Sequence, residues 1–190
     1  MVDYVELHCH SYFSFHDGAS SLEDLLLRAS NLGYHALAIT DHDNLCGAMR
    51  FAQSASNWGV KPITGAEVTL RGGYHLTLLA ASVRGYHQLC RLLSFAHVDN
   101  PRDEPQADLS QLVHREGLIA LSGCSRGEIP SLLVEGRWED ARAAARRYRE
   151  LFGENFYLEL QNNLCYGDRE RNRRLVALGR EMGIPLVATN

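Results

Sequence analysis

The chain opens with Glu6-Leu7-His8-Cys9-His10, followed by Asp17 and then by Thr40-Asp41-His42. In an extended segment, residues two apart point to the same face. His8 and His10 can therefore present two imidazoles to one metal ion while Cys9 faces away. A metal-centred site is the first reading of these residues. A histidine pair alone is a weak signal, equally met on a solvated strand, so the argument depends on what the chain places beside it.

The elements that must position these residues repeat one pattern: a helix closing on a glycine, a short apolar strand, then small or polar residues. The spacing predicts a helix over 22–32, entered by a capping box of Ser20 with Glu23 and ended by Gly33. A strand over 35–39 follows and runs into Asp41 and His42. Helix 45–58, Gly59 and strand 60–63 lead to Gly65-Ala66-Glu67, and helix 109–116, Gly117 and strand 118–121 lead to Ser122-Gly123-Cys124. Helix 168–182, Gly183 and strand 184–188 lead to Thr189-Asn190. Strand 75–81, helix 85–96, helix 138–152 and strand 155–161 fill the intervals. With a first strand over 4–8, about seven strands alternate with helices, which predicts an α/β fold whose parallel sheet closes into a barrel.

In such a barrel the active site is built at the C-terminal ends of the strands. Those positions hold His8, His10, Asp41, His42, Glu67 and Cys124. Each is a metal-ligand type, and their shared placement at one rim outweighs the surface or core reading that any of them would receive singly. No Gly-x-Gly-x-x-Gly follows a strand and no Gly-x-x-x-x-Gly-Lys occurs, which argues against dinucleotide and P-loop sites.

The 190 residues, 45% of them hydrophobic, suffice for one substantial core, and residues 1–190 are read as a single domain. The net charge is −4, and no basic stripe is present to hold nucleic acid by phosphate neutralisation alone. Arg142, Arg146, Arg147 and Arg149 share a helix with Glu139, Asp140 and Glu150 and read as a solvated face. The five scattered cysteines contain no Cys-x-x-Cys and fit a reducing cytoplasm. With no signal-like N-terminus and no long apolar run, the expectation is a cytoplasmic protein that does not engage a membrane.

His8-x-His10, Asp17 in Phe15-His16-Asp17-Gly18, Thr40-Asp41-His42, Gly65-Ala66-Glu67, His97 and Ser122-Gly123-Cys124 resemble successive motifs of the polymerase and histidinol phosphatase (PHP) domain. Further segments, 75–80, 85–86, 121–123, 157–160 and 187–190, are similar to the N-terminal domain of the bacterial DNA polymerase III alpha subunit and its error-prone relative. The resemblance implies an irregular seven-stranded barrel with a cluster of up to three metal ions. It implies His8, His10, Asp17, His42, Glu67, His97 and Cys124 as ligands, and Asp41 as an acceptor that orients a ligand imidazole. His97 is preferred to His75, which lies inside an apolar strand and reads as a packed core residue. Family members follow the final strand with Asp-x-His. This sequence stops at Asn190, before that motif, so a fragment of a longer polymerase chain is expected.

The chemistry implied is phosphoester hydrolysis. Paired metals clamp phosphate oxygens and activate water, with Asp17, His42 and Asp41 as the candidate catalytic groups for proton transfer. Mixed imidazole, carboxylate and thiolate ligands suit zinc or manganese better than magnesium. The partners implied are the 3′ end of a DNA strand and the other domains of the polymerase, with proofreading or pyrophosphate hydrolysis as the activity. The alternatives are a structural module of the polymerase and a free-standing phosphatase of the histidinol phosphate kind.

Overall fold

Alternation along the strands sets the architecture of the chain, whose computed structural model describes residues 4–112 and 115–190. Six strands pair in sequence order among these residues: β1 (Ala36–Ile39), β2 (Lys61–Thr69), β3 (His75–Ala80), β4 (Leu118–Leu121), β5 (Phe156–Gln161) and β6 (Leu186–Thr189). Six helices cover the sheet: α1 (Leu22–Asn31), α2 (Ala48–Ala55), α3 (Val83–Val98), α4 (Glu128–Val134), α5 (Trp138–Phe152) and α6 (Asp168–Met182).

Because successive strand residues point to opposite faces, Ala66 and Val68 of β2, Leu76 and Leu78 of β3 and Phe156 and Leu158 of β5 all turn outward. They form the main core with Leu89 and Leu92 of α3, Tyr148 of α5 and Leu175 of α6. Leu37 and Ile39 of β1 pack likewise against Leu22 and Leu26 of α1 and Phe51 of α2. Full burial of each such side chain contributes about 1.5–3 kcal/mol. The opposite face curls inward, where Ala38, Leu79 and Leu121, with Leu7, Ile63, Tyr157 and Val187, fill one end of the enclosed space. The polar side chains Glu67, Thr77 and Glu159 occupy the same face further along and are buried.

The opening segment completes the curl. Ala38 N–H donates to the Glu6 carbonyl and Thr40 N–H to the Cys9 carbonyl, each at 2.9 Å, so the segment lies along β1. The Glu6 carboxylate in turn accepts from the Asn190 amide, 3.0 Å away, just beyond β6.

Four expectations are corrected. The sheet has six strands among the described residues rather than seven, because residues 4–8 form only a single bridge, Glu6 to Leu37. The sheet is mixed: β3 runs antiparallel to both β2 and β4, while β1–β2, β4–β5 and β5–β6 are parallel. The helix expected over 109–116 is a single 3-10 turn at Leu109–Gln111, and residues 113 and 114 lie outside the described residues. The α1 cap also moves by one residue, since Ser21 Oγ accepts from Asp24 N–H at 3.1 Å. Sequence reading placed no element at α4, which tolerates Pro130 in its first turn, where the missing N–H needs no partner.

Candidate metal centre

Four imidazoles converge on one buried carboxylate. Glu67, 1% exposed, is carried by β2 on the inward face. Its Oε2 lies 3.2 Å from His10 Nε2 and 3.1 Å from His42 Nε2; its Oε1 lies 3.1 Å from His75 Nδ1 and 3.5 Å from His8 Nε2. Asp17 Oδ2 closes the outer side, 2.7 Å from His42 Nε2 and 3.4 Å from His10 Nδ1. Burial pushes the Glu67 carboxyl upward, but the imidazoles of His10, His75 and His8 pressed against it more than reverse this and hold it far below the usual carboxylate range.

Local structure explains each placement. His8 and His10 share a face of the opening segment, and Cys9 between them packs against the α1–α2 core. His42 follows β1 and its N–H donates to Ser14 Oγ at 3.0 Å. Asp17 sits beyond His16, whose φ of 68° is left-handed and turns the loop sharply back. Gly123, at φ 85°, lets the chain leave β4 close to β3. A Cβ there would stand 2.5 Å from the His75 carbonyl oxygen. Cys124 is thereby brought with Sγ 3.4 Å from His75 Nδ1, and burial, with Glu67 nearby, raises its thiol pKa.

His8 is held from behind. Its Nδ1 lies 2.6 Å from Glu159 Oε1 and 3.1 Å from Thr77 Oγ1, and Thr189 Oγ donates to the same Glu159 oxygen at 2.6 Å. Burial alone would lower the His8 pKa, but Glu159 and Glu67 outweigh it and the ring is pushed up to about 10. Glu159 stood inside a segment quoted only for its family resemblance. Its inward parity with Tyr157 and Gln161 was the signal that could have found it.

The structure brings together His8, His10, Asp17, His42, Glu67 and, at the edge, Cys124, which all line one cleft of about 620 Å³. Two expected residues fall elsewhere. His97 lies near the end of α3 with Nε2 2.6 Å from the Asp43 carbonyl oxygen, and His75, read from the sequence as a packed core residue, is the histidine that stands beside Glu67. Among the described residues Asp41 orients no imidazole: its carboxylate accepts from Ser11 N–H, Ser11 Oγ and Ser14 Oγ at 2.6–2.7 Å, which ties the loop leading to Asp17.

The donor set fits divalent cations. His8–His10–Glu67, His10–Asp17–His42 and His42–Glu67–His75 each bring three ligand atoms within 4.8 Å of one another, and they overlap at shared residues. Buried His10 Nε2 and Glu67 Oε1 have no directed hydrogen bond, a cost of about 1–3 kcal/mol per atom that a cation removes.

A curled α/β sheet thus carries at its mouth a histidine–carboxylate cluster of the kind that could hold divalent cations. The family model for the PHP domain matches residues 6–163, and the chain belongs to the PHP domain family. It is 48% identical over 206 residues to an error-prone DNA polymerase of Symbiobacterium thermophilum, covering 100% of this chain and 19% of that one. It is 40% identical over 205 residues to a DNA polymerase III subunit alpha of Treponema pallidum, covering 100% and 18%. The chain thus spans about a fifth of the length of these curated relatives. Among solved structures, an amidohydrolase from Chromobacterium violaceum with bound sulfate and no metal shares the fold at a TM-score of 0.67 and 17% identity, covering 98% of this chain and 86% of that one. A protein from Bifidobacterium adolescentis, provisionally described as a metal-dependent phosphoesterase, does so at 0.63 and 15%, covering 100% and 87%. No helix among the described residues is long and apolar enough to cross a membrane.

Proposed function

We propose that this chain is the metal-dependent phosphoesterase domain of a DNA polymerase III alpha-type polymerase, and that it hydrolyses phosphodiesters at the 3′ end of a DNA strand. The observation that carries the reading is the convergence of His8, His10, His42 and His75 on Glu67, with two buried ligand atoms left without hydrogen bonds. His8, His10, Asp17, His42, Glu67, His75 and Cys124 would hold the cations, with zinc or manganese favoured by the nitrogen, oxygen and sulfur donors. Bound there, the cations supply Lewis-acid stabilisation of a phosphoryl group and make water acidic enough to attack it. Glu159 fixes the His8 ring through Nδ1, leaving Nε2 directed at the cluster. His42 Nε2 and Asp17 Oδ2, 2.7 Å apart on the open side, would both turn to a bound cation there, and the proton taken up by the leaving oxygen would come from solvent.

The experiment is hydrolysis of bis(4-nitrophenyl) phosphate and of a 3′-labelled single strand in manganese, read together with metal stoichiometry. The His8→Ala, His10→Ala double variant is expected to lose bound metal and to fall to the rate of chelated protein. Unchanged stoichiometry in that variant rejects the reading.

A further inference from the structure

Beyond the cluster, Ser125 lines both the cleft and a neighbouring recess of about 350 Å³, and Tyr166 lines that recess together with a second of about 760 Å³ beside Arg169. Four side chains along this track have no role in the metal centre. Tyr166 is fully exposed at 108%, and its neighbour Leu164 is 88% exposed. Arg126 lines the cleft and Arg169 the outer recess, and among the described residues neither forms an ion pair. Nearby arginines do: Arg173 and Arg174 are tied to Glu170 at 2.7 and 3.0 Å, and Arg137 to Glu135 at 3.2 Å. Glu135 and Glu170, the acids of the two recesses, are thus each already paired with an arginine, while the side chains of Arg126 and Arg169 are not.

The loop carrying Tyr166 is braced rather than loose. The Asp168 carboxylate accepts from Cys165 N–H at 3.0 Å and from Arg171 at 2.8 Å, and Arg171 and Asn172 both donate to the Gln161 carbonyl, at 2.9 and 2.8 Å. Both ends are pinned to α6. An aromatic ring is thus presented to solvent on a fixed support, flanked by unpaired cations that lead to a phosphoester-binding cluster.

We propose that this track holds a single strand of nucleic acid, with Arg126 and Arg169 binding backbone phosphates and Tyr166 stacking on a base. The proposal rests on the phosphoesterase reading for its direction, since the strand leads one phosphodiester into the cleft. Stacking on an exposed ring accepts any base and requires an unpaired one, whereas a duplex hides its base faces.

The test is fluorescence anisotropy of the 190-residue chain with a labelled oligothymidylate of about 12 nucleotides, in chelator, so that binding is read without hydrolysis. Tyr166→Ala is expected to weaken binding about tenfold, and Tyr166→Phe to restore it. Arg126→Ala and Arg169→Ala are each expected to weaken binding and to lower the slope of log affinity against log salt by about 0.7. A duplex of the same length is expected to bind more weakly. Strand binding that is absent, unchanged in Tyr166→Ala, or no stronger than duplex binding overturns the proposal. Hydrolysis of bis(4-nitrophenyl) phosphate separates the two readings. If that activity is present without strand binding, only the track fails; if strand binding is present without that activity, only the phosphoesterase reading fails.

Discussion

Glu159 on β5 and His8 in the opening segment meet at 2.6 Å in the interior of the protein, and this contact decides which nitrogen of His8 faces the cluster. A carboxylate behind a ligand imidazole fixes its tautomer and its orientation. Two effects of Glu159 oppose each other: it aims the ring, and it raises the pKa of the ring, so that a proton competes better with metal.

Orientation is the larger effect. Glu159→Gln is expected to weaken metal affinity about 10- to 100-fold while the His8 pKa falls. Titration with a competing chelator and NMR of the imidazole check the two halves. Tighter metal binding in the variant would show that proton competition dominates.

His75 and His97 make opposite predictions. His75→Ala is expected to lower metal stoichiometry, because Glu67 Oε1 loses its neighbour at 3.1 Å. His97→Ala is expected to leave stoichiometry unchanged and to cost about 1 kcal/mol of stability through its lost bond to the Asp43 carbonyl. Elemental analysis and urea unfolding of both variants are the measurements.

Cys124 is expected to react slowly with iodoacetamide in metal-loaded protein and faster after chelation, because coordination occupies the sulfur. Mass spectrometry of the alkylated peptide reads the rates. Equal rates would make Cys124 a packed neighbour of His75 and no more.

Asp168 gives a pH prediction. Burial pushes its carboxyl up, but the Cys165 amide and the Arg171 guanidinium outweigh it and hold the pKa below the usual range. Its folded pKa is thus lower than its unfolded value, near 3.9. The stabilisation is present above about pH 4 and is lost as pH falls through the folded value. Asp168→Ala is expected to cost about 3 kcal/mol at neutral pH by leaving Arg171 buried without its carboxylate. The gap from the parent protein should narrow below about pH 4 in urea unfolding.

Much of this was legible in the sequence for identifiable reasons. Strand Leu118–Leu121 and helices Trp138–Phe152 and Asp168–Met182 have the predicted bounds, because periodicity and a terminal glycine both mark them. The rim logic brought His8, His10, His42, Glu67 and Cys124 to one cleft. It failed at His75 for a topological reason. In an all-parallel barrel the first residue of a strand lies far from the active end, but β3 is reversed, so its first residue stands at the mouth. Asp41 differs from the role the resemblance implied because its place after a strand does not reveal its partners, and Ser11 and Ser14 reach it from a loop with no periodicity.

The His8–Glu159 contact joins residues 151 positions apart. At a synthesis rate of about 5–20 residues per second, some 8–30 s separate their appearance from the ribosome. During that interval His8, His10, His42, Glu67 and His75 have been made, while the carboxylate that aims His8 has not. A cation taken up during that interval would meet a His8 ring not yet aimed by Glu159, and local abundance would then count for more than geometry. The metal content of the purified domain should therefore record the medium in which it was synthesised, and refolding the finished chain in a defined metal should rewrite that record.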